Sequence, residues 1–403
     1  MTGWARLVGP GLSSGDPNVN STIFRRFLTA LRAALFIAAA CMTVSPARAD
    51  APPNNMWICG YYLSGDQDSG RLPPEKIDLT AVSHIIHFGL FPNDDGTIGP
   101  DSKGIPLKNS LAMVKLAHAA GKKVVVCMGL SQGPKKVRVA LDDDIRPKLV
   151  HNLVDLIVTR GYDGLDIDIE PLEDADIPTY SKFVHEMRAA LDAAGVGHLL
   201  TAAVASEPAM FANLQDQFDR INLMTYDDAG PFPGNKTWHN ASLYGGGKDM
   251  MNAQEPYYSA DHMVQDFLKA GVAPAKLGIG VAFYGYIWSG VTAPKQDITG
   301  LTAADVDDGA AYSKIMDEYY QPSRYHWDDQ AKAPWLSIDA PAKKDRKFIS
   351  YDDERLCALK IDYVRRHHLG GVIIWELGAG YRSKEPEGKQ DVLLQAVKKE
   401  WLR

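Results

Sequence analysis

Tyr162-Asp163-Gly164-Leu165-Asp166-Ile167-Asp168-Ile169-Glu170 reads as a β-strand. Alternate residues of a strand share a face, so Asp166, Asp168 and Glu170 point one way and Leu165, Ile167 and Ile169 the other. Aliphatic residues on the second face require cover by other elements, which leaves the carboxyl row facing an interior. Buried, unpaired carboxylates are costly, so the row must share protons, find donors or bind a cation. Crowded carboxyls push one another's pKa values apart and keep at least one protonated near neutrality. A protonated Glu at the strand's C-terminal end is what a general acid requires. A divalent-cation site and a solvated acidic loop are the competing readings, and the interleaved aliphatics argue against the loop.

Outward from this strand the chain alternates strand-like and helix-like segments. Strand candidates are Met56–Tyr62, Val82–Leu90, Lys122–Met128, Asp163–Glu170, Leu199–Ser206, Ile221–Tyr226, Leu277–Tyr284 and Gly371–Trp375. Between them, helical spacing places Leu107, Leu111 and Val114 on one face before a stop at Gly121. It does the same for Ile145, Leu149, Leu153 and Leu156 before Gly161, and for Tyr180, Phe183, Met187 and Leu191 before Gly195. Such alternation predicts parallel strands covered by helices. Eight strands in the chain favour a closed α/β (β/α)8 TIM barrel over an open doubly wound sheet. No Gly-rich phosphate loop follows the first strand, which weakens a dinucleotide fold. Residues 289–348 break the rhythm and carry Tyr312, Tyr319, Trp327 and Trp335. A structureless loop of that length is not expected in a compact protein, so a small inserted subdomain is expected there, between the seventh strand and the last helix, within a barrel spanning 50–403.

The N-terminus has its own pattern. Arg25, Arg26 and Arg32 precede an apolar run from Ala33 to Val44, and Ala47-Arg48-Ala49 supplies small residues before Asp50. That order predicts a signal peptide over 1–49 and a secreted or periplasmic protein. The run is too short for a transmembrane helix, so no membrane partner is expected. Loss of 1–49 removes five basic residues and one acidic one, moving the formal charge from −7 to −11. An acidic protein is a poor partner for nucleic acid. Cys59, Cys127 and Cys357 then remain, an odd number without metal-ligand spacing, so the fold must rest on its core. The composition, 45% hydrophobic, is that of a globular protein able to supply one.

The segment Asp163–Glu170 resembles the DGxDxDxE signature of family 18 glycoside hydrolases, the chitinases and their relatives. Met224-Thr225-Tyr226-Asp227 resembles that family's MxYD motif, and Trp238–Tyr244 the segment that follows it. Gly280–Gly285, Phe348–Asp353 and Gly370–Glu376 resemble the later motifs, in family order. The resemblance implies hydrolysis of chitin or other N-acetylglucosamine polymers with retention, the substrate's own acetamide serving as nucleophile. By the same resemblance Glu170 is the acid and Asp168 orients the acetamido group. Asp166 shares a proton with Asp168, and Tyr226 bonds the acetamido oxygen. Asp227 and Met224 contact the sugar, Trp375 forms its floor, and Tyr61, Trp238 and Tyr284 line the cleft. Asp163 is read as fixing the strand's entry.

No cofactor and no metal are implied, and a monomer is expected. Some positions depart from the family pattern: Leu130 and Ser131 where relatives often have an aromatic, Gly89 likewise, Tyr286 for a common arginine, and Gly378-Ala379-Gly380 for a segment commonly containing aspartate. Two other functions compete with a chitinase: an endo-β-N-acetylglucosaminidase acting on N-glycans or peptidoglycan, and a non-catalytic sugar-binding protein. The retained Glu170 argues against the last.

Overall fold

The computed structural model describes residues 56–99, 104–130, 141–230, 236–245 and 259–403; the leader read over 1–49 lies outside them. The barrel strands are β1 (Trp57–Leu63), β2 (His84–Leu90), β3 (Lys123–Leu130), β4 (Gly164–Ile169), β5 (Leu199–Val204), β6 (Arg220–Leu223), β7 (Leu277–Ala282) and β13 (Gly371–Trp375). They close in the order β1-β13-β7-β6-β5-β4-β3-β2, every neighbouring pair parallel. Leu165, Ile167 and Ile169 are buried in the core, as the alternation requires. Among the described residues no helix is long and apolar enough to cross a membrane.

A second sheet of five antiparallel strands occupies the interval between β7 and β13. Its strands are β8 (Tyr284–Ser289), β9 (Val306–Ala311), β10 (Tyr325–Asp328), β11 (Ala333–Ile338) and β12 (Lys347–Tyr351), ordered β10-β11-β12-β8-β9. This is the inserted subdomain. The seventh strand candidate, Leu277–Tyr284, is therefore divided at Phe283. The Phe283 N–H donates to the Trp375 carbonyl of the barrel at 2.7 Å, while its own carbonyl accepts from Tyr312 N at 3.0 Å. The chain changes sheets at that residue.

The helical stops behave as read at Gly161, whose φ of 76° suits a residue without a Cβ. One helical face does not. In the helix Leu107–Ala119, Leu107 and Leu111 are exposed while Asn109, Ser110, Met113 and Val114 are buried. Two polar contacts rotate the buried face: Asn109 Nδ2 donates to Ser64 Oγ at 3.0 Å, and Arg160 Nη1 to Ser110 Oγ at 2.8 Å. The helices Arg146–Arg160 and Ile177–Ala194 bury Leu149, Leu153 and Leu156 and Tyr180, Phe183, Met187 and Leu191 respectively. Cys59, Cys127 and Cys357 are free and buried.

Candidate active site

The carboxyl row rises through the barrel from its floor to its C-terminal rim, where barrel enzymes place their chemistry. Below it, Trp57 Nε1 donates to Asn222 Oδ1 at 3.1 Å, and the Arg220 guanidinium lies 5.1 Å over the Trp57 ring. Asp163 holds the strand's entry, accepting from Val124 N at 2.7 Å and lying 2.9 Å from His118 Nε2. Register then decides each carboxyl's surroundings. Asp166 pairs with Cys127 on β3 and Thr201 on β5. It accepts hydrogen bonds from the Thr201 hydroxyl and, at 2.7 Å, from the Tyr61 hydroxyl of β1. Burial pushes Asp166 above the usual carboxylate range, while these two donors pull it back.

Two residues further along, Asp168 pairs with Gly129 and Ala203, neither of which has a polar side chain. Its Oδ1 is buried without a hydrogen-bond partner. Burial, then the charges of Glu170 and Asp166, raise it far above its ordinary value. Glu170 stands at the mouth. It is exposed to solvent, yet the protein crowding it lifts its pKa. The contact with Asp168 lowers it and the Asp227 charge raises it again.

Asp168 and Glu170 open into a cleft of about 340 Å3 lined also by Tyr61, Met224, Tyr226, Asp227, Asp228, Met263, Tyr284 and Trp375. The Tyr226 ring packs edge-on against Tyr284 at 5.9 Å, and its hydroxyl is a second buried polar atom without a partner. Its place depends on Gly280, where a Cβ would come within 2.5 Å of Tyr226 Cε1. The strand β6 ends at Leu223, short of the expected Tyr226, because the chain must turn to present Asp227. That residue has a φ of 61°, and its N–H donates to Asn240 Oδ1 at 3.1 Å. Tyr284 and Tyr286 both donate to Asp227 Oδ1, at 2.5 and 3.0 Å. The phenols lower a carboxyl that burial raises overall.

The floor is aromatic. Trp375 meets Phe88 edge-on at 5.0 Å and Tyr61 at 5.1 Å, and Phe91 adjoins Phe88 at 5.8 Å. Phe91 lies over Gly89 and Gly129, whose added Cβ atoms would stand 3.1 and 2.9 Å from its ring. The aromatic bulk absent from position 89 is thus supplied from positions 88 and 91, which sequence reasoning missed. Phe88 and Phe91 on either side of Gly89, where the β2–β3 register shifts, were the available signal.

Most of the expected residues line the cleft. Asp166 lies beneath it, fully buried. Trp238 is not among the lining residues; it is fully buried, 4.8 Å from the His239 ring and 5.6 Å from Lys295 Nζ. The segment containing it acts through its polar residues instead: Asn240 holds Asp227, and Ser242 N and Oγ donate to Asp228 Oδ2 at 3.2 and 3.4 Å. Asp228 and Met263 are lining residues that sequence reasoning missed. Among the described residues no group of three or more His, Cys, Asp or Glu side chains has metal-binding geometry.

The sequence profile of Glycosyl hydrolases family 18 matches residues 58–380. The chain is 27% identical to probable chitinase 10 of Drosophila melanogaster over 82% of this chain and 15% of that protein. It is 28% identical to endochitinase 1 of Metarhizium robertsii, over 79% of this chain and 80% of that one. The fold superposes on the Group IV chitinase of Ostrinia furnacalis with a TM-score of 0.72 at 23% identity, covering 86% of this chain and 100% of that chain. The chain thus spans a small fraction of the first relative and most of the second.

Proposed function

Because the chain belongs to glycosyl hydrolases family 18, we propose that it hydrolyses β-1,4-linked N-acetylglucosamine chains with retention, the substrate's own acetamido oxygen acting as nucleophile. The observation that carries this reading is the pair of unpartnered buried polar atoms in the cleft, Asp168 Oδ1 and the Tyr226 hydroxyl. Buried polar groups are normally hydrogen-bonded, and exceptions call for a ligand. A carboxylate acceptor and a phenol donor in one cleft match an acetamide, which offers one N–H and one carbonyl oxygen. Burial raises Tyr226 far above its ordinary value, so it stays a donor.

In the first step Glu170 gives its proton to the glycosidic oxygen as that bond to the anomeric carbon breaks. The acetamido oxygen closes on the anomeric carbon, forming an oxazolinium ion and releasing the leaving sugar as an alcohol. Tyr226 aligns the attacking oxygen, and Asp168 accepts the N–H and offsets the positive charge that develops on nitrogen. Asp166, held by Tyr61 and Thr201, takes part of the proton shared with Asp168. Water then attacks the anomeric carbon from the face the leaving group vacated, Glu170 recovers its proton from that water, and the ring opens to the β-anomer. Trp375 gives the bound sugar an apolar floor. The site residues have these roles without a metal or cofactor, and the leader pattern supports action outside the cytoplasm. Incubation with chitotetraose, a glucosamine tetramer, peptidoglycan and a high-mannose glycopeptide tests the reading. Cleavage of the first is expected, and cleavage confined to the last two would replace it with an endo-β-N-acetylglucosaminidase.

A further inference from the structure

The inserted sheet turns one face of β8 to the cleft and the other away from it. Tyr284 and Tyr286 reach Asp227, whereas Gly285 between them pairs with Tyr351 of β12. A Cβ at Gly285 would stand 2.8 Å from Tyr351 Cβ and 3.0 Å from Ile315 Cδ1, so this second face packs under the helix Tyr312–Glu318. Beside that packing lies a cavity of about 360 Å3, lined chiefly by Tyr312, Tyr320, Tyr325, Tyr351, Asp353 and Arg382. It is as large as the catalytic cleft, and within the size range of small-molecule sites.

Its charges are held by the protein or face solvent: Glu354, in the first turn of the helix Glu354–Arg366, is exposed. Asp353 accepts from Leu356 N at 2.8 Å and from the Tyr325 hydroxyl at 2.9 Å. Arg382 Nη2 pairs with Asp317 at 3.0 Å and Glu385 at 2.7 Å. Of its phenols, Tyr325 is matched in this way and two others are not. Tyr312 and Tyr351 are only 3% and 2% exposed as residues, and their rings lie 6.3 Å apart against the cavity. Both residues line the cavity, and a phenol that opens onto a cavity can donate to and accept from whatever fills it. Tyr320 stands at the mouth, 42% exposed. An anion would meet the Asp353 and Glu354 carboxylates, and a purely apolar ligand would leave the phenols and the buried, unpartnered Arg382 Nε without partners. A neutral pyranose satisfies both demands: its C–H faces lie on rings and its hydroxyls reach phenols.

We propose that this tyrosine-lined cavity is a second carbohydrate site, which holds a neutral segment of an N-acetylglucosamine chain on the face of the inserted sheet opposite the cleft. The identity of the sugar rests on the proposed function; the preference for a neutral sugar rests on the cavity alone. Such a site would tether a polymer that the cleft is cutting and add to its retention by multivalency.

The test is the stoichiometry of chitotriose binding by calorimetry to the full chain carrying Glu170→Gln. Two sites are expected. Combining Tyr312→Phe, Tyr351→Phe and Tyr320→Ala keeps most of the ring packing, and should weaken one site at least tenfold. With Glu170 restored, this triple variant should cleave chitotriose at an unchanged kcat/KM while its retention on insoluble chitin falls. If the parent binds at one site only and the triple variant loses it, the cavity stands and the cleft reading fails. Undiminished binding in a folded triple variant overturns the proposal.

Discussion

The Tyr61 hydroxyl donates to Asp166 Oδ2 across the barrel at 2.7 Å, tying the floor's aromatic layer to the innermost carboxyl of the catalytic strand. Tyr61 is fully buried and also lines the cleft. Tyr61→Phe keeps the ring against Trp375 and removes only this donor. A hydrogen bond to a charged group contributes about 1.5–3 kcal/mol, so the thermal midpoint should fall, and kcat/KM on chitotetraose measured on the folded variant should fall roughly 10- to 100-fold. An unaltered rate would show that Asp166 takes no part in the proton sharing.

Glu170 must be protonated to act as acid, and partial desolvation by the protein crowding it holds its pKa above the ordinary value with help from the Asp227 charge. The alkaline limb of kcat/KM should therefore lie above the usual carboxylate range. Asp227→Asn removes a negative charge that favours the protonated form, so the limb should move to lower pH. Movement to higher pH would contradict this electrostatic assignment. Glu170→Gln itself should cost roughly 10²–10⁴-fold in kcat with oligosaccharide binding retained, read by single-turnover kinetics and calorimetry.

Gly280 is needed where Tyr226 crosses β7, since an added Cβ would lie 2.5 Å from Cε1 and 3.0 Å from Thr225 N. Thr225 is itself clamped, its hydroxyl exchanging hydrogen bonds with the Gly280 carbonyl and N–H at 3.1 and 2.9 Å. Gly280→Ala should displace the ring, lowering kcat/KM at least tenfold and stability by about 1–3 kcal/mol, as overpacked cores do. Thermal melting and rate measurements check both; a variant normal in each would place Tyr226 outside the chemistry.

The barrel was legible because its signal is local and periodic: Leu165, Ile167 and Ile169 alternate with three carboxyls, and Gly161 stops the preceding helix. What escaped the sequence depends on contacts between distant segments. Leu107 and Leu111 look like a core face, and only the bonds from Asn109 to Ser64 and from Arg160 to Ser110 expose them. Trp238 looks like a cleft aromatic, yet its neighbours Asn240 and Ser242 supply that segment's link to the site. The division at Phe283 has no local marker at all, because it follows from hydrogen bonds to Trp375 and Tyr312. Asp228 was passed over since its carboxyl is defined by Ser242 rather than by the strand.

Stability has a separate dependence on one buried ion pair. Lys360 Nζ donates to Asp352 Oδ2 at 2.7 Å, both side chains being sealed from solvent, and Asp352 also receives the Ala282 N–H of β7 at 3.2 Å. Lys360→Met leaves that carboxylate without its cation, at a cost of about 3–5 kcal/mol. Denaturant unfolding should show the loss, with the folded fraction of the variant cleaving oligosaccharide at the normal rate. A stability within about 1 kcal/mol of the parent would contradict the pairing.

The central claim is that the substrate supplies the nucleophile to the anomeric carbon while Glu170 supplies the proton. Retention follows from it, because two successive displacements occur at that carbon. Proton NMR of fresh chitotetraose digests, recorded before mutarotation, reads the outcome directly. The newly formed reducing ends should appear first as the β-anomer and drift to the equilibrium mixture. Initial accumulation of the α-anomer would mean a single displacement by water, and would contradict the roles given to Asp168, Glu170 and Tyr226.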